Sequence, residues 1–557
     1  MRISFRIIAV TFLVSITGLA VAQKGPPAAA IASAHPLATR AGHLILKSGG
    51  NAFDAAVAVS AVLAVVEPYS SGIGGGGFWL LHQAKDNSEI MIDGRERAPL
   101  AATPMMYVDS AGKLRARASI DGPLAAAIPG LPAGLVYLAQ HYGRLSLAET
   151  LASAIHYAQE GFKVDEHYRH LVAFRLSTLK RWSTTAQIFL IDERIPALGD
   201  RIKQPDLAAT LTALASQGVA GFYQGSVAKA LVDGVRAAGG IWTLEDLAQY
   251  QIVERPPVRG QYHGMKIISA SLPSAGGITL LTMLNILVQD DLAALPDVTR
   301  VHLMIEAMRR AYRDRAEYLG DPDFIAIPLV RLIHPYYGAG LRASIRLDQA
   351  TPSTLLPGIE SQESGQDTTH FSIIDQEGNW VAATLSINYP FGSGFVPAGT
   401  GVLLNDEMDD FTISPGIPNV YGLVGNQANA IMPGKRPLSS MTPTFVEDDH
   451  GVLVLGTPGG SRIITMVLLG ILNHGQGKSL GDLVSWPRFH HQYLPDEVQY
   501  EPQAFDSQLI ARLQALGHRL KPQEQPWGNM QAVFWDRVQG KIEAASDPRG
   551  IGQALVQ

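Results

Sequence analysis

From Thr368 to Asn388 the chain spells a β-hairpin whose register follows from its turn. Gln376-Glu377-Gly378 fits a three-residue loop with glycine at the position that takes φ > 0. Asp375 then faces Asn379, which sets Ser372 opposite Ala382, His370 opposite Thr384 and Thr368 opposite Ser386. Side chains alternate along a strand. The second strand therefore places Ala382, Thr384, Ser386 and Asn388 on one polar, hydroxyl-bearing face. Val381, Ala383, Leu385 and Ile387 lie on the other, which is expected to pack a core. A slip of one residue would exchange the two faces.

The segment before this hairpin looks built to be cut. Gln349 to Asp367 is mostly Pro, Gly, Ser, Thr, Gln and acid, with Gly365 two residues before the junction. A break after Asp367 would make Thr368 an N-terminus, with a hydroxyl nucleophile and its activating base in one residue. An α-amine has a reference pKa of about 7.7–8.0, so much of it is neutral near neutral pH. Ser386 is placed to hydrogen-bond the Thr368 hydroxyl. The bland alternative is a Thr-rich strand after a surface loop.

Further motifs argue against that alternative. Thr368-Thr369-His370, Pro437-Leu438-Ser439-Ser440-Met441, Gly456-Thr457-Pro458-Gly459-Gly460-Ser461-Arg462 and Asp93-Gly94-Arg95-Glu96-Arg97-Ala98-Pro99 occur together. With Gly74-Gly75-Gly76-Gly77-Phe78 and Met408-Asp409-Asp410-Phe411, the set resembles bacterial γ-glutamyltransferases, also called glutathione hydrolases. These are N-terminal-nucleophile hydrolases, and the resemblance runs from about Ala28 to Asp547. It implies an α/β (α+β) fold, a four-layer αββα sandwich formed jointly by two autoproteolytic fragments.

The resemblance also implies roles. Arg95 offers a planar fork suited to a carboxylate, and falls on the substrate α-carboxylate together with Ser439 and Ser440. Asp410 falls on the α-ammonium, with Asn388 and Glu407 as polar helpers. Gly459-Gly460 sits between two apolar runs at a strand-to-helix turn, where bare N–H groups can hold a developing oxyanion. Tyr421 lies in a Gly/Pro-bearing stretch, 411–425, that resembles the lid loop of some members; an ordinary connecting loop is the plain alternative. Two departures stand out. Thr384-Leu385-Ser386 replaces the commoner Thr-x-Thr, keeping the hydroxyl but losing a methyl, and Asp367 stands where some relatives have Gln.

The rest of the chain sets bounds. Arg2 and Arg6 precede an apolar stretch, Ile7 to Leu19, and then Ala20-Val21-Ala22, the pattern of a secretory signal over residues 1–22. The stretch is short for a membrane span of roughly 20 apolar residues, so a periplasmic or secreted protein is expected, with no stable membrane span. The chain has no cysteine, hence neither disulfide nor lipidated cysteine. A net charge of −6 argues against nucleic acid as a partner. Gly72–Gly77 lacks a following Lys-Ser/Thr, so close backbone packing is expected there rather than a phosphate loop. The sixteen histidines include no His-Glu-x-x-His, and His490-His491 would project apart, so no metal or other cofactor is expected. Helices are expected over Pro36–Lys47, from an Asn51 cap to Val66, over Pro132–His141, Leu145–Glu160, Leu207–Gln217, Ser226–Ala238, Val298–Tyr318 and Ser461–Asn473.

The expected molecule is thus a heterodimer of fragments 23–367 and 368–557, acting on glutathione and other γ-glutamyl compounds. Thr368 would carry the glutamyl group as an ester to water or to an amino-acid or dipeptide acceptor. Two other readings compete: a β-lactam side-chain acylase on the same scaffold, and an extracytoplasmic amino-acid-binding protein that has lost catalysis.

Overall fold

The computed structural model describes residues 25–356, 368–413, 419–420 and 423–557. The expected signal segment, Asp367 and Tyr421 lie outside these residues, as does part of the 411–425 loop. Helices α1 (Pro36–Lys47) and α2 (Ala52–Val66) have the expected bounds. The Asn51 side chain accepts from Phe53 and Asp54 N–H, and Asp54 returns a bond to the Asn51 N–H. Such a capping box satisfies helix-end donors that burial would otherwise strand, and losing its cap typically costs ~1 kcal/mol. All fifteen residues of α2 are buried, as an Ala/Val-rich helix that is apolar all round requires.

In chain order the two large sheets are built from β1 (Ala30–Ser33), β2 (Gly76–Gln83), β3 (Ser88–Gly94), β4 (Val253–Arg255), β5 (Val258–Tyr262), β6 (Met265–Ser269), β7 (Thr369–Ile374), β8 (Trp380–Ser386), β9 (Thr444–Glu447), β10 (Gly451–Gly456), β11 (Gln531–Asp536), β12 (Lys541–Ser546) and β13 (Gln553–Val556). One sheet has the order β13-β1-β7-β8-β2-β3-β4 and the other β12-β11-β10-β9-β6-β5. Both are antiparallel throughout. Each sheet contains strands from before and after Thr368: β1 lies between β13 and β7 in the first, where β8 also pairs with β2, and β9 pairs with β6 in the second.

Three cores mark the layers. α1, α2 and the helices Leu131–His141 and Leu147–Glu160 share one core with Phe371, Ile373, Val381, Ala383, Leu385 and Ile387. A second core lies between the sheets and includes Ile374, Trp380, Ala382, Phe445 and Val454. The third joins Leu453 and Leu455 to α4 (Gly276–Leu287), α5 (Asp297–Tyr318) and α6 (Ile463–Gly475). Helix, sheet, sheet and helix are therefore stacked as the αββα arrangement expects. On the α2 side, a further helix, α3 (Glu166–Lys180), is capped by Asp165. Among the described residues no helix is long and apolar enough to cross a membrane.

The hairpin register is as the turn dictates: His370 pairs with Thr384 and Ser372 with Ala382, and Gly378 has φ 87°. Asp375 locks it. Its Oδ1 accepts from the Glu377 and Asn379 N–H groups, while its Oδ2 accepts from Ala52 N–H at the start of α2, where a carboxylate is favoured. The structure adds that the polar face is as dry as the apolar one, because the second sheet covers it. His370 and Thr384 are fully buried and bonded to each other at 2.8 Å, and a Cβ on Gly456 of β10 would lie 2.2 Å from the His370 ring. Burial lowers the His370 pKa to about 3, so the imidazole is a neutral packing element.

Candidate active site

Thr368 stands at the open end of β7, where two cavities meet. The inner one is lined by Arg95, Ser386, Asn388, Glu407, Asp410, Ser439, Ser440 and Gly460, all of them singled out in the sequence, together with Thr368 itself. The outer one is a groove of ≈ 710 Å³, bounded by Thr368, Gly459, α3 side chains and the Gln525–Asn529 segment. Gly459 thus lines the outer groove and Gly460 the inner cavity. Both have positive φ, 140° and 55°, in the turn from β10 into the short 3-10 helix Gly460–Arg462 that leads to α6. A Cβ at Gly459 would meet only the flexible end of Met466, 2.5 Å away, so backbone conformation rather than space calls for glycine there.

Close backbone packing fixes the floor. Cβ atoms on Gly74, Gly75, Gly76 and Gly77 would lie 2.1–2.4 Å from the carbonyl oxygens of Leu403, Ser386, Gly94 and Thr384. Glycine there lets β2 close on β8 and on the loop that carries Glu407. Asn405 ties that loop down, donating to Gly74 and Ala127 carbonyls and accepting from Ala127 and Glu407 N–H groups. Asn388, at φ 73°, turns the chain out of β8 and donates to the Asp406 carbonyl. Its own N–H bonds Ser386 Oγ at 2.8 Å. In that bond Ser386 Oγ is the acceptor, which leaves its O–H able to donate.

Arg95 is fully buried at the end of β3, its Nε donating to the Pro437 carbonyl at 3.1 Å. Its terminal nitrogens reach Glu407 Oε2 at 2.6 Å, Asp410 Oδ2 at 2.5 Å and Glu96 Oε2 at 3.4 Å. Burial opposes its charge, but Glu407, Glu96 and Asp410 outweigh this and hold its pKa above the ordinary value. The acids respond in kind. Burial raises Glu96 to about 7, against the pull of Arg95, and raises Glu407 well above its usual range. Oε1 of each is buried without a hydrogen-bond partner. A second guanidinium, Arg315 of α5, donates to Ser440 Oγ at 3.0 Å. Ser439 Oγ accepts from Met441 N–H. Arg95, Glu407 and Asp410 therefore line a small polar space, with Glu96 and Arg315 bonded to its lining residues, a setting suited to a ligand carrying one carboxylate and one ammonium.

The loop after Asp410 is anchored at its described ends. Asn419 donates to Asp410 Oδ1 at 3.0 Å, Val420 N–H to Asp409 Oδ2 at 2.6 Å, and Leu423 lines the inner cavity. His490 and His491 are engaged separately, by Thr465 and Gln492 and by Asp496 respectively. One group among the described residues, His302, Glu306 and His518, brings possible metal-ligand atoms together. Glu306 there is paired with Arg309 and Arg310, whose charges disfavour a cation.

Sequence reasoning overlooked Arg315, which a motif search would not reveal because it sits in the last turn of a long helix, and Glu67, a buried acid that shares the outer groove with Thr368.

The description "Gamma-glutamyltranspeptidase" belongs to a family model that matches residues 38–557. The "Glutathione hydrolase proenzyme" of Pseudomonas sp. (strain A14) is 42% identical over 510 residues, covering 90% of this chain and 88% of that protein. Its Escherichia coli (strain K12) namesake is 40% identical over 527 residues, covering 94% and 90%. Among solved structures, a cephalosporin acylase from Bacillus halodurans superposes with a TM-score of 0.84 at 27% identity, covering 99% of this chain and 98% of that one. The chain belongs to the gamma-glutamyltranspeptidase family.

Proposed function

We infer that the protein is a self-processing γ-glutamyl transferase and glutathione hydrolase with Thr368 as its nucleophile. The observation that carries this reading is the position of Thr368, between a small cavity lined by Arg95, Glu407 and Asp410 and an open groove. In the precursor, the Thr368 hydroxyl attacks the Asp367 carbonyl and the peptide nitrogen leaves, giving an ester. Water opens that ester, freeing the Asp367 carboxylate and the Thr368 α-amine. The fragments are 23–367 and 368–557, and the two sheets that they share keep them together. Removal of residues 1–22 places the enzyme in the periplasm or outside the cell.

In the mature enzyme the amine takes the hydroxyl proton as Thr368 Oγ bonds the γ-carbonyl carbon, and Ser386 donates its hydrogen to hold Oγ in place. Gly459 and Gly460 N–H groups receive the oxyanion, a contribution typically worth ~3–4 kcal/mol per donor. Arg95, Ser439 and Ser440 take the α-carboxylate; Glu407, Asp410 and Asn388 take the α-ammonium. Binding then exchanges partners, because Arg95 is paired with the same acids in this structure. The proton passes to the leaving amine, which departs into the outer groove. Water or an acceptor amine enters by that groove and takes the glutamyl group from the ester.

The likeness to a cephalosporin acylase supports a second reading as a side-chain acylase. Acidic groups around Arg95 weigh against it, since a glutaryl group brings no ammonium to meet them. Two assays decide. Thr368→Ala should give one uncut chain that releases no p-nitroaniline from γ-glutamyl-p-nitroanilide, and efficient cleavage of that variant would refute the assignment. Faster hydrolysis of glutaryl-cephalosporin than of the anilide by the natural protein would favour the acylase.

A further inference from the structure

Glu67 follows α2 directly, is 3% exposed, and lines the outer groove with Thr368. Its Oε2 accepts from Thr369 Oγ1 at 2.7 Å, so it grips the residue next to the nucleophile. Nothing in the chemistry above uses this carboxyl. An isolated buried acid is costly, and a typical surface role is ruled out by its position. We propose that Glu67 is a positioning residue for the nucleophile, fixing the start of β7 through Thr369 and acting as counter-charge to the α-amine that cleavage creates at Thr368. The proposal rests on the reading of Thr368 given above.

The surroundings fit the role. Burial, moderated by the Thr369 bond, raises the Glu67 pKa to about 7, and Asp165 at the cap of α3 adds to the rise. The other groups facing it are Tyr69, His167 and His170 of α3, and Arg549 on the far wall. Burial lowers the His167 pKa, and Arg549 is paired with Glu501 and Asp547. A new ammonium in this groove favours the Glu67 carboxylate, and the carboxylate in turn raises the pKa of the amine. The amine must be neutral to accept the hydroxyl proton, so Glu67 would help set the acid limb of the pH–rate profile.

The test compares kcat/KM against pH for γ-glutamyl-p-nitroanilide in the natural protein, Glu67→Gln and Glu67→Asp, after intact-mass measurement confirms which are cut. Glu67→Gln can still accept the Thr369 bond but carries no charge, and its acid limb should move to lower pH by about half a unit or more. Glu67→Asp keeps the charge and should lie between the two; if the glutamine variant is not cut, the aspartate variant alone should show the shift. Superimposable acid limbs in every cut variant, whatever the loss of rate, would overturn the proposal. So would failure of both variants to be cut while the natural protein is. An active natural protein that is itself uncut would instead sink the reading of Thr368.

Discussion

On the inner side of Thr368 the walls are Arg95, Glu407, Asp410, Ser439 and Ser440, nearly all buried and tied to named neighbours. On the outer side they include Phe174, 57% exposed, Pro390, Pro526 and Trp527, around a groove of ≈ 710 Å³. Fixed charges in a dry pocket recognise one arrangement of ligand charge and little else. An open, mixed groove discriminates weakly, since contacts made there are exposed and few. One nucleophile can thus be strict about the acyl group it accepts and permissive about the amine it releases or receives.

The contrast can be broken first at Arg95. Arg95→Leu strands Glu96, Glu407 and Asp410 and removes the carboxylate fork; losses of this kind run to about 2–5 kcal/mol. We expect kcat/KM for γ-glutamyl-p-nitroanilide to fall by on the order of 10²–10³-fold, and a loss below about tenfold would take donor recognition away from the inner cavity. Asp410→Asn should cost less, about 10–100-fold, carried mainly by KM because the ammonium contact serves binding before chemistry.

Protonation offers a subtler probe of the same side. Glu96 and Glu407 keep their protons to higher pH than usual because they are buried. A ligand ammonium favours their carboxylate forms, so glutamate binding near pH 6–7 should release protons, and affinity should rise with pH through that window. Calorimetry of the processed enzyme in buffers of different ionisation enthalpy reads the release directly; no buffer dependence would contradict this account of the charges.

Changes outside the inner cavity should be milder. Phe174→Ala should leave hydrolysis of the anilide within about twofold while altering the relative use of large and small acceptor amines, as expected for an exposed contact. Ser386→Thr restores a methyl without removing the hydroxyl, and the rate should stay within about threefold. A larger drop in either would mean the outer groove or the β8 hydroxyl is more exacting than the packing suggests.

How far the sequence spoke depended on the range of the interaction. The Gln376-Glu377-Gly378 turn was enough to set the β7–β8 register, and Asn51 enough to start α2, because turns and caps are local. The two-sided burial of the hairpin was not legible: Ala382, Thr384 and Ser386 read as a polar face, and only the approach of β10 at Gly456 shows it to be an interior. Similarly, Arg95 could be picked out by motif, but its capture by Glu407 and Asp410 depends on residues more than three hundred positions away. Arg315 and Glu67 reach the site only through tertiary packing, from a long helix and a helix end whose local patterns announce nothing.

The most direct test is acid-quenched intact-mass analysis of the purified enzyme during turnover of a γ-glutamyl donor, with N-terminal sequencing of its fragments. The account predicts two fragments, the smaller beginning Thr-Thr-His-Phe and carrying, in part of the population, the added mass of one glutamyl group. A fully active preparation consisting of one unbroken chain, or a glutamyl adduct on the larger fragment, would contradict it.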